Sequence, residues 1–476
     1  MENKNPAISS VMRELSAYVA GTLKRPLPND AAEMGKHHLL DTLAAMVSGS
    51  RLLPGRKAIA YVKNLGGAKQ ASVVGTRIIT STVNAALANG MMAHADETDD
   101  SHMQSLCHPG CAVVPAALAM GEHMRRDGKA LLRAIVLGYD IGARSNLALG
   151  PQQLRNAGHS SHSFGPLFGA AAAAGVLAGL NAERVRYLLS YTAQQAAGVD
   201  CWARDREHVE KAFDFGGMPA RNGVAAATMA AAGFTAVDDV FSGEHNFFFA
   251  FSREPALENL VDALGQRYEV VNTNIKRWAV GSPIQAALDS LSALIKEHGI
   301  GADDVEKLTV TIHSSGAKTV NDRTMPDINL QHLMSVMLRD GTVTFAAAHD
   351  ERRMRDRKVL TLKQRIELIG DAELERAPTR QAFVEIKTRD GRELMHHTLA
   401  VRGTAANPMT RVEVEEKCYD LMAPVFGARR ARSVIEKICR LKKFRIPARC
   451  GPCCGRNYSK RKSQVRIVLK RQGGAL

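Results

Sequence analysis

Between Gly165 and Leu180 the chain reads GPLFGAAAAAGVLAGL, an apolar stretch made almost wholly of small side chains. Small side chains let helices approach closely, whereas a β-sandwich needs bulk between its sheets. Aromatic residues are only 5% of the 476, and both facts predict a helix-packed body. The run is too short and too alanine-rich to span a bilayer. The opening Met1-Glu2-Asn3-Lys4 lacks signal-peptide architecture, so the expectation is a cytoplasmic protein with no membrane partner.

Periodicity divides the chain. Residues 7 to 23 and 30 to 49 carry amphipathic helical spacing, with Asp30 a cap for the second. Val73, Val74, Ile78 and Ile79 predict a small hairpin, and Ser81 caps a helix through Val83, Leu87 and Met91. A further helix follows Asp127-Gly128 to about Leu149. Its Gly138 and Gly142 read as crossing points, because no strand precedes them and the phosphate-loop spacing is absent. Near Tyr268 to Asn274 the texture changes. Leu308, Val310 and Ile312 alternate as a strand, and Arg389-Asp390-Gly391-Arg392 joins a hairpin. Thr410 and Glu413 form a capping box that returns the chain to helix. The predicted fold is mainly α with a smaller α+β domain: a large all-α domain from residues 1–268, the small domain at 269–403, return helices at 404–443 and a basic tail at 444–476.

The net charge of +15 excludes less than it suggests. From Gly427 onward sixteen Lys or Arg face the single acid Glu436, while the preceding residues carry 47 of each sign. Basicity belongs to the tail, so the body has no electrostatic case for nucleic acid. The tail, with Cys450, Cys453 and Cys454, lacks the second pair or histidine that a zinc site needs. It reads as an altered terminus with no binding role.

Chemistry concentrates in His94-Ala95-Asp96-Glu97-Thr98-Asp99-Asp100-Ser101-His102, followed by Cys107-His108-Pro109-Gly110. If helical geometry persists past the Ser81 helix, Asp96 and Asp100 are neighbours, and like charges that close keep one carboxyl protonated as a general acid. Pro109-Gly110 forces a turn that presents His108. The bland alternative is a solvated helix end. Downstream, His159-Ser160-Ser161-His162 opens the alanine-rich helix, where Ser160 and Ser161 offer a cradle for a carboxylate and His159 a charge or a base. A buried capped helix with an incidental histidine is the competing reading. Lys211, in the Gly- and Pro-broken stretch to Asn222, and Lys276 beside Arg277 are candidate carboxylate partners.

The H-A-D-E-T-D-D-S-H and C-H-P-G blocks resemble the signature of the MmgE/PrpD family, and the resemblance runs in order over about residues 10 to 425. It implies a large helical domain from both chain ends, a smaller α+β domain, an active site between them and a homodimer. By motif position it implies Glu97 as the acidic site residue, Asp99 and Asp100 as second-row acids, Ser101 as the hydroxyl, His108 and His159 as the histidines, and Lys211 and Lys276 as the lysines. His332 stands where decarboxylating members carry tyrosine, and Asp96 adds an acid beside Glu97.

The combined expectation is a cofactor-independent dehydratase, with no metal, acting on a hydroxylated di- or tricarboxylate of the 2-methylcitrate type. His159 or His108 is the base, the Asp96/Glu97/Asp100 group the acid, and Lys211, Lys276, Ser101, Ser160, Ser161 and His332 the substrate contacts. An epimerase or isomerase is the alternative, and a cis-aconitate-type decarboxylase ranks third.

Overall fold

A computed structural model describes residues 8–441. The basic tail and its three cysteines lie outside the described residues. The described residues form two compact units, one of 8–95, 99–273 and 421–441, the other of 96–98 and 274–420.

The first unit is helical. Its frame is α1 (Asn29–Gly49), α2 (Thr82–Ala93), α3 (Gly110–His123), α4 (Gly128–Leu149), α5 (Ser161–Ala178) and α6 (Met218–Ala231). Side-chain caps start α2 and α4: Ser81 Oγ accepts from Asn84 N–H and Asp127 Oδ1 from Ala130 N–H. The cap expected of Asp30 is not formed. Pro28 holds that position and Asp30 lies within the first turn, where its charge still complements the exposed N–H groups. The anticipated hairpin is a ribbon of two-residue strands, β1 (Ala71–Ser72) and β2 (Ile79–Thr80).

Helix α5 is the hub, and small residues explain its contacts. A Cβ on Gly169 would stand 2.3 Å from Gly138 O, and one on Gly138 2.4 Å from a Val113 methyl. Backbones that close exclude any side chain at those positions, as expected of helix crossing points rather than a phosphate loop. No described helix is long and apolar enough to cross a membrane.

The second unit is α+β. A four-stranded mixed sheet of order β4-β3-β5-β6 combines β3 (Val305–His313), β4 (Ile366–Asp371), β5 (Ala382–Thr388) and β6 (Glu393–Thr398). Strands β3 and β4 are parallel; β5 is antiparallel to both β3 and β6. Leu308, Val310 and Ile312 bury one sheet face against α7 (Gln285–His298) and α8 (Leu330–Asp340). The capping box opens α9 (Arg411–Phe426) as read: Thr410 N–H donates to Glu413 Oε2 at 2.8 Å and Glu413 N–H to Thr410 Oγ1 at 3.3 Å. The first turns of α9 cluster with the second unit, and residues 96–98 are a short insertion into it.

Candidate active site

Helix α2 stops at Ala93, and His94 leaves helical geometry with φ −116° and ψ 39°. Up to α3 the chain consists of turns, pinned where His102 and Cys107 exchange backbone hydrogen bonds of 2.8 and 3.3 Å. The helical adjacency expected of Asp96 and Asp100 therefore does not exist. Each buried carboxyl instead finds its own donors, which one helical face does not supply.

Asp100 belongs to the first unit. It accepts from Tyr139 Oη at 2.5 Å and Gly110 N–H at 3.0 Å, and lies 2.8 Å from His38 Nδ1. With three partners and no exposure it anchors the start of α3.

Asp99 is the centre of this unit's chemistry. Its two oxygens lie 2.9 Å from His94 Nδ1 and 3.1 Å from His108 Nδ1. Burial pushes the Asp99 carboxyl up, but the two imidazoles outweigh it and hold the group well below the usual carboxylate range. Burial lowers His94, and Asp99 only partly offsets that. Both rings direct Nδ1 at the carboxylate, so the opposite nitrogen, Nε2, is the basic one.

Phe215 gathers further groups. His94 and His162 stack on its ring at 4.2 and 3.8 Å between centroids, and His108 lies at 5.4 Å. Lys211 Nζ stands 5.2 Å from the centre of Phe215 and 5.4 Å from that of Trp202, within cation–π range. Burial, reinforced by His108, Arg155 and Lys211, drives His162 well below its ordinary pKa, so its ring is neutral near pH 7. The stretch expected to be a broken loop is continuous helix with a π turn at Phe213–Gly217. A Cβ on Gly216 would lie only 2.2 Å from Gly90 O, so the π turn packs its backbone directly on α2. This turn aims Phe215 at the histidines.

The π turn also buries Asp214. Ser160 Oγ donates to it at 2.5 Å, and Trp202 Nε1 donates to Ser160 Oγ at 3.2 Å. Burial, with Asp200 and Glu210 nearby, raises Asp214 to about 7 despite the Ser160 bond. The two serine hydroxyls at this helix start are engaged: Ser160 Oγ serves Asp214, and Ser161 Oγ donates to Leu106 O at 2.6 Å. His159 is placed differently from the Asp99 cluster, with its ring 5.5 Å from Phe164 and 5.6 Å from Phe251. The histidine that joins the cluster is His162, one turn further on. Ser101 is half-buried.

The second unit holds the other motif residues. Lys276 Nζ donates to Glu97 O at 2.8 Å and lies 3.6 Å from its carboxylate, so the lysine grips the acid expected beside it. Asp96 takes Thr98 Oγ1 at 2.6 Å and pairs with His349 Nε2 at 2.9 Å. Burial raises Asp96, but His349 and Thr98 outweigh it and leave the acid ionised, which corrects its reading as a protonated donor. His349 also lies 3.9 Å from Asp327. Burial lifts Asp327 to about 6 against the pull of His349, helped by Glu97 and Asp96. Arg277 is taken up by Asp289, 3.7 Å away, and by Trp278. His332 lies on α8, where burial and the charges of Arg353 and Lys363 lower it to about 4.

Asp214, Phe215, Trp202, Asp327 and His349 were not singled out from the sequence. Asp214 and Phe215 lie inside the noticed Lys211 block, but only the π turn shows which way they face. His349 follows three alanines with no pattern to mark it. In the first unit His94, Asp99 and Cys111 bring ligand atoms within 4.8 Å of one another. That group suits a metal poorly: burial raises the Cys111 thiol well above its usual value, and its sulfur donates to His108 O at 3.1 Å.

The chain thus combines a helical body carrying a buried carboxylate–imidazole cluster with an α+β unit carrying a lysine-held acid. The descriptions of the MmgE/PrpD N-terminal and C-terminal domains match residues 13–259 and 278–441, and the chain belongs to the MmgE/PrpD family. A cis-aconitate decarboxylase-like protein, oryM, of Aspergillus oryzae is 26% identical over 306 residues, 61% of this chain and 62% of that protein. Cis-aconitate decarboxylase of Aspergillus terreus is 25% identical over 313 residues, 61% of each chain. The chain thus spans about three-fifths of the length of these relatives.

Proposed function

We propose that the chain is a lyase that removes water from a hydroxylated di- or tricarboxylate of the 2-methylcitrate type by withdrawing a proton next to a carboxylate. The observation that carries this reading is Asp99 on His108 Nδ1 at 3.1 Å, in one cluster with the Lys211 ammonium. Asp99 orients His108 so that Nε2 takes the proton. Lys211 stabilises the enediolate-like charge that results. Of the three expected acids, Asp96 and Asp100 are fully engaged. Glu97 is held by Lys276 in the second unit, so the proton that His108 takes is returned by the same ring to the departing hydroxyl, which leaves as water. A homodimer handling a small polycarboxylate belongs to the same reading.

The Aspergillus relatives favour decarboxylation as the second reading, since loss of CO₂ leaves the same carbanion for protonation. Incubation with 2-methylcitrate, citrate and cis-aconitate separates the two. Dehydration raises ultraviolet absorbance as a conjugated alkene forms, and decarboxylation releases CO₂ from cis-aconitate alone. Decay of optical rotation in a chiral dicarboxylate, without either signal, identifies an epimerase. Silence in all three assays rejects the polycarboxylate reading.

A further inference from the structure

In the first unit, one buried carboxylate holds both ends of the Asp99–His108 hydrogen bond. His108 lies nine residues after Asp99. Asp100 follows Asp99 directly, so fixing the Asp100 side chain restrains the backbone of its neighbour. At the other end, Asp100 Oδ1 accepts Gly110 N–H at 3.0 Å, two residues beyond His108. Asp100 therefore closes the same span of chain a second time.

Two helices hold Asp100 in turn. Its Oδ2 accepts Tyr139 Oη of α4 at 2.5 Å and lies 2.8 Å from His38 Nδ1 of α1. Asp100, Tyr139 and His38 are all fully buried, and the two rings lie 5.0 Å apart. Burial and then the Asp100 charge push the Tyr139 hydroxyl well above its ordinary pKa, so it keeps its proton and remains the donor. The fit against α3 is tight: a Cβ on Gly110 would stand 2.5 Å from Tyr139 Oη and 2.7 Å from Asp100 Oδ2. Glycine at this position lets side chains from α1, α4 and the acidic turn converge on the backbone that carries His108.

We propose that Tyr139 and His38 are positioning residues for the base: through Asp100 they set the length and direction of the Asp99–His108 hydrogen bond, and with it the orientation of the His108 ring. This deepens the proposed function and rests on its reading of His108 as the base. Both side chains are out of reach of a substrate, so they act on the reaction only through Asp100. A reacting group is productive only within a narrow range of geometry, and a misplacement of about 1 Å costs up to about a hundredfold in rate.

Tyr139→Phe in the full chain tests it by deleting the hydroxyl and keeping the ring. On whichever polycarboxylate is turned over, kcat is expected to fall about tenfold to a hundredfold with KM little changed. Tyr18→Phe removes a hydroxyl 3.4 Å from a different buried carboxylate, Asp140, and leaves kcat as it is. In an Asp99→Asn background Tyr139→Phe costs nothing further, because the bond it aligns has already lost its charge. His38→Leu repeats the loss, and His38→Asn, whose amide N–H replaces Nδ1, restores most of it. A second readout needs no turnover. Nitrogen NMR of the histidine-labelled chain, with His108 assigned from His108→Gln, should show its neutral ring protonated on Nδ1 in the wild type and as a mixture of tautomers in Tyr139→Phe. Equal losses for Tyr18→Phe and Tyr139→Phe, additive losses in the double variant, or wild-type His108 signals in a folded Tyr139→Phe overturn the positioning role. Should circular dichroism show Tyr139→Phe unfolded, the two His38 variants decide by the same signals. Altered His108 signals in a chain whose wild type turns over no polycarboxylate support the positioning of the ring and reject the proposed function alone.

Discussion

Asp99 bridges His94 and His108, with one carboxylate oxygen 2.9 Å from the first Nδ1 and the other 3.1 Å from the second. In the proposed reaction the Asp99–His108 pair serves base catalysis, because the carboxylate selects both the tautomer and the ring orientation.

Asp99→Asn keeps the shape of that bridge and removes its charge. The expected result is a fall in kcat of roughly 10²–10⁴ with a small change in KM, measured by steady-state kinetics on whichever polycarboxylate is turned over. Unchanged kcat in a folded Asn variant moves the base elsewhere. His159→Ala separates the two histidines named from the sequence: it leaves the Asp99–His108 geometry intact, so the shape of the pH–rate profile persists even where the rate falls.

Lys211 contributes its charge over the Phe215 and Trp202 rings. Lys211→Met is expected to lower kcat/KM by about 10² or more, the loss typical of one electrostatic donor at a developing anion. Lys211→Arg retains the charge and the cation–π contact, so it recovers part of the loss. Equal activity of the Met and Arg variants contradicts a role for the charge.

His349 gives a stability signature on the alkaline side. Burial alone lowers an imidazole, but Asp96, 2.9 Å away, and Asp327 raise this one to about 9. A group raised in the folded state contributes fully below its unfolded pKa, roughly 6.5, and loses that contribution as pH climbs to about 9. Thermal melts should show Tm falling across that window in the wild type and a flatter line in His349→Gln. The difference is on the order of a few kcal/mol. Parallel curves for the two proteins refute the pairing.

Asp214 acts in the opposite range. Its buried carboxyl is raised to about 7, so the folded state holds a proton that the unfolded state releases above about 4. Stability attributable to this group therefore declines between those values and is level beyond them. Asp214→Asn keeps an oxygen acceptor for Ser160 and removes the decline. It should melt higher than the wild type at pH 8, by up to a few kcal/mol of stability, and show no such gain at pH 4. A variant that is less stable at pH 8 shows that the ionised carboxylate is favoured there after all.

Local pattern carried much of this architecture. The Ser81 cap of α2 and the Thr410–Glu413 box are contacts within a few residues of chain, and they form as read. The small-residue run predicted close helix crossings because Gly138 and Gly169 admit nothing larger. The family signature likewise follows linear order, and residues 13–259 and 278–441 match it.

What the sequence determined by itself was the α-helical body, the α+β insertion and the short stretch where acids and imidazoles concentrate. Only the tertiary structure decided which acid keeps which partner. A helix that ends at Ala93 sends Asp96 to His349 and Asp100 to Tyr139, and a π turn brings Asp214 beneath Ser160. The physical reason is distance along the chain: Asp100 and Tyr139 are 39 residues apart and Ser160 and Asp214 are 54. Periodicity reports a residue's nearest turn, whereas the protonation of a buried carboxyl is set by whichever remote donors the packed helices deliver to it.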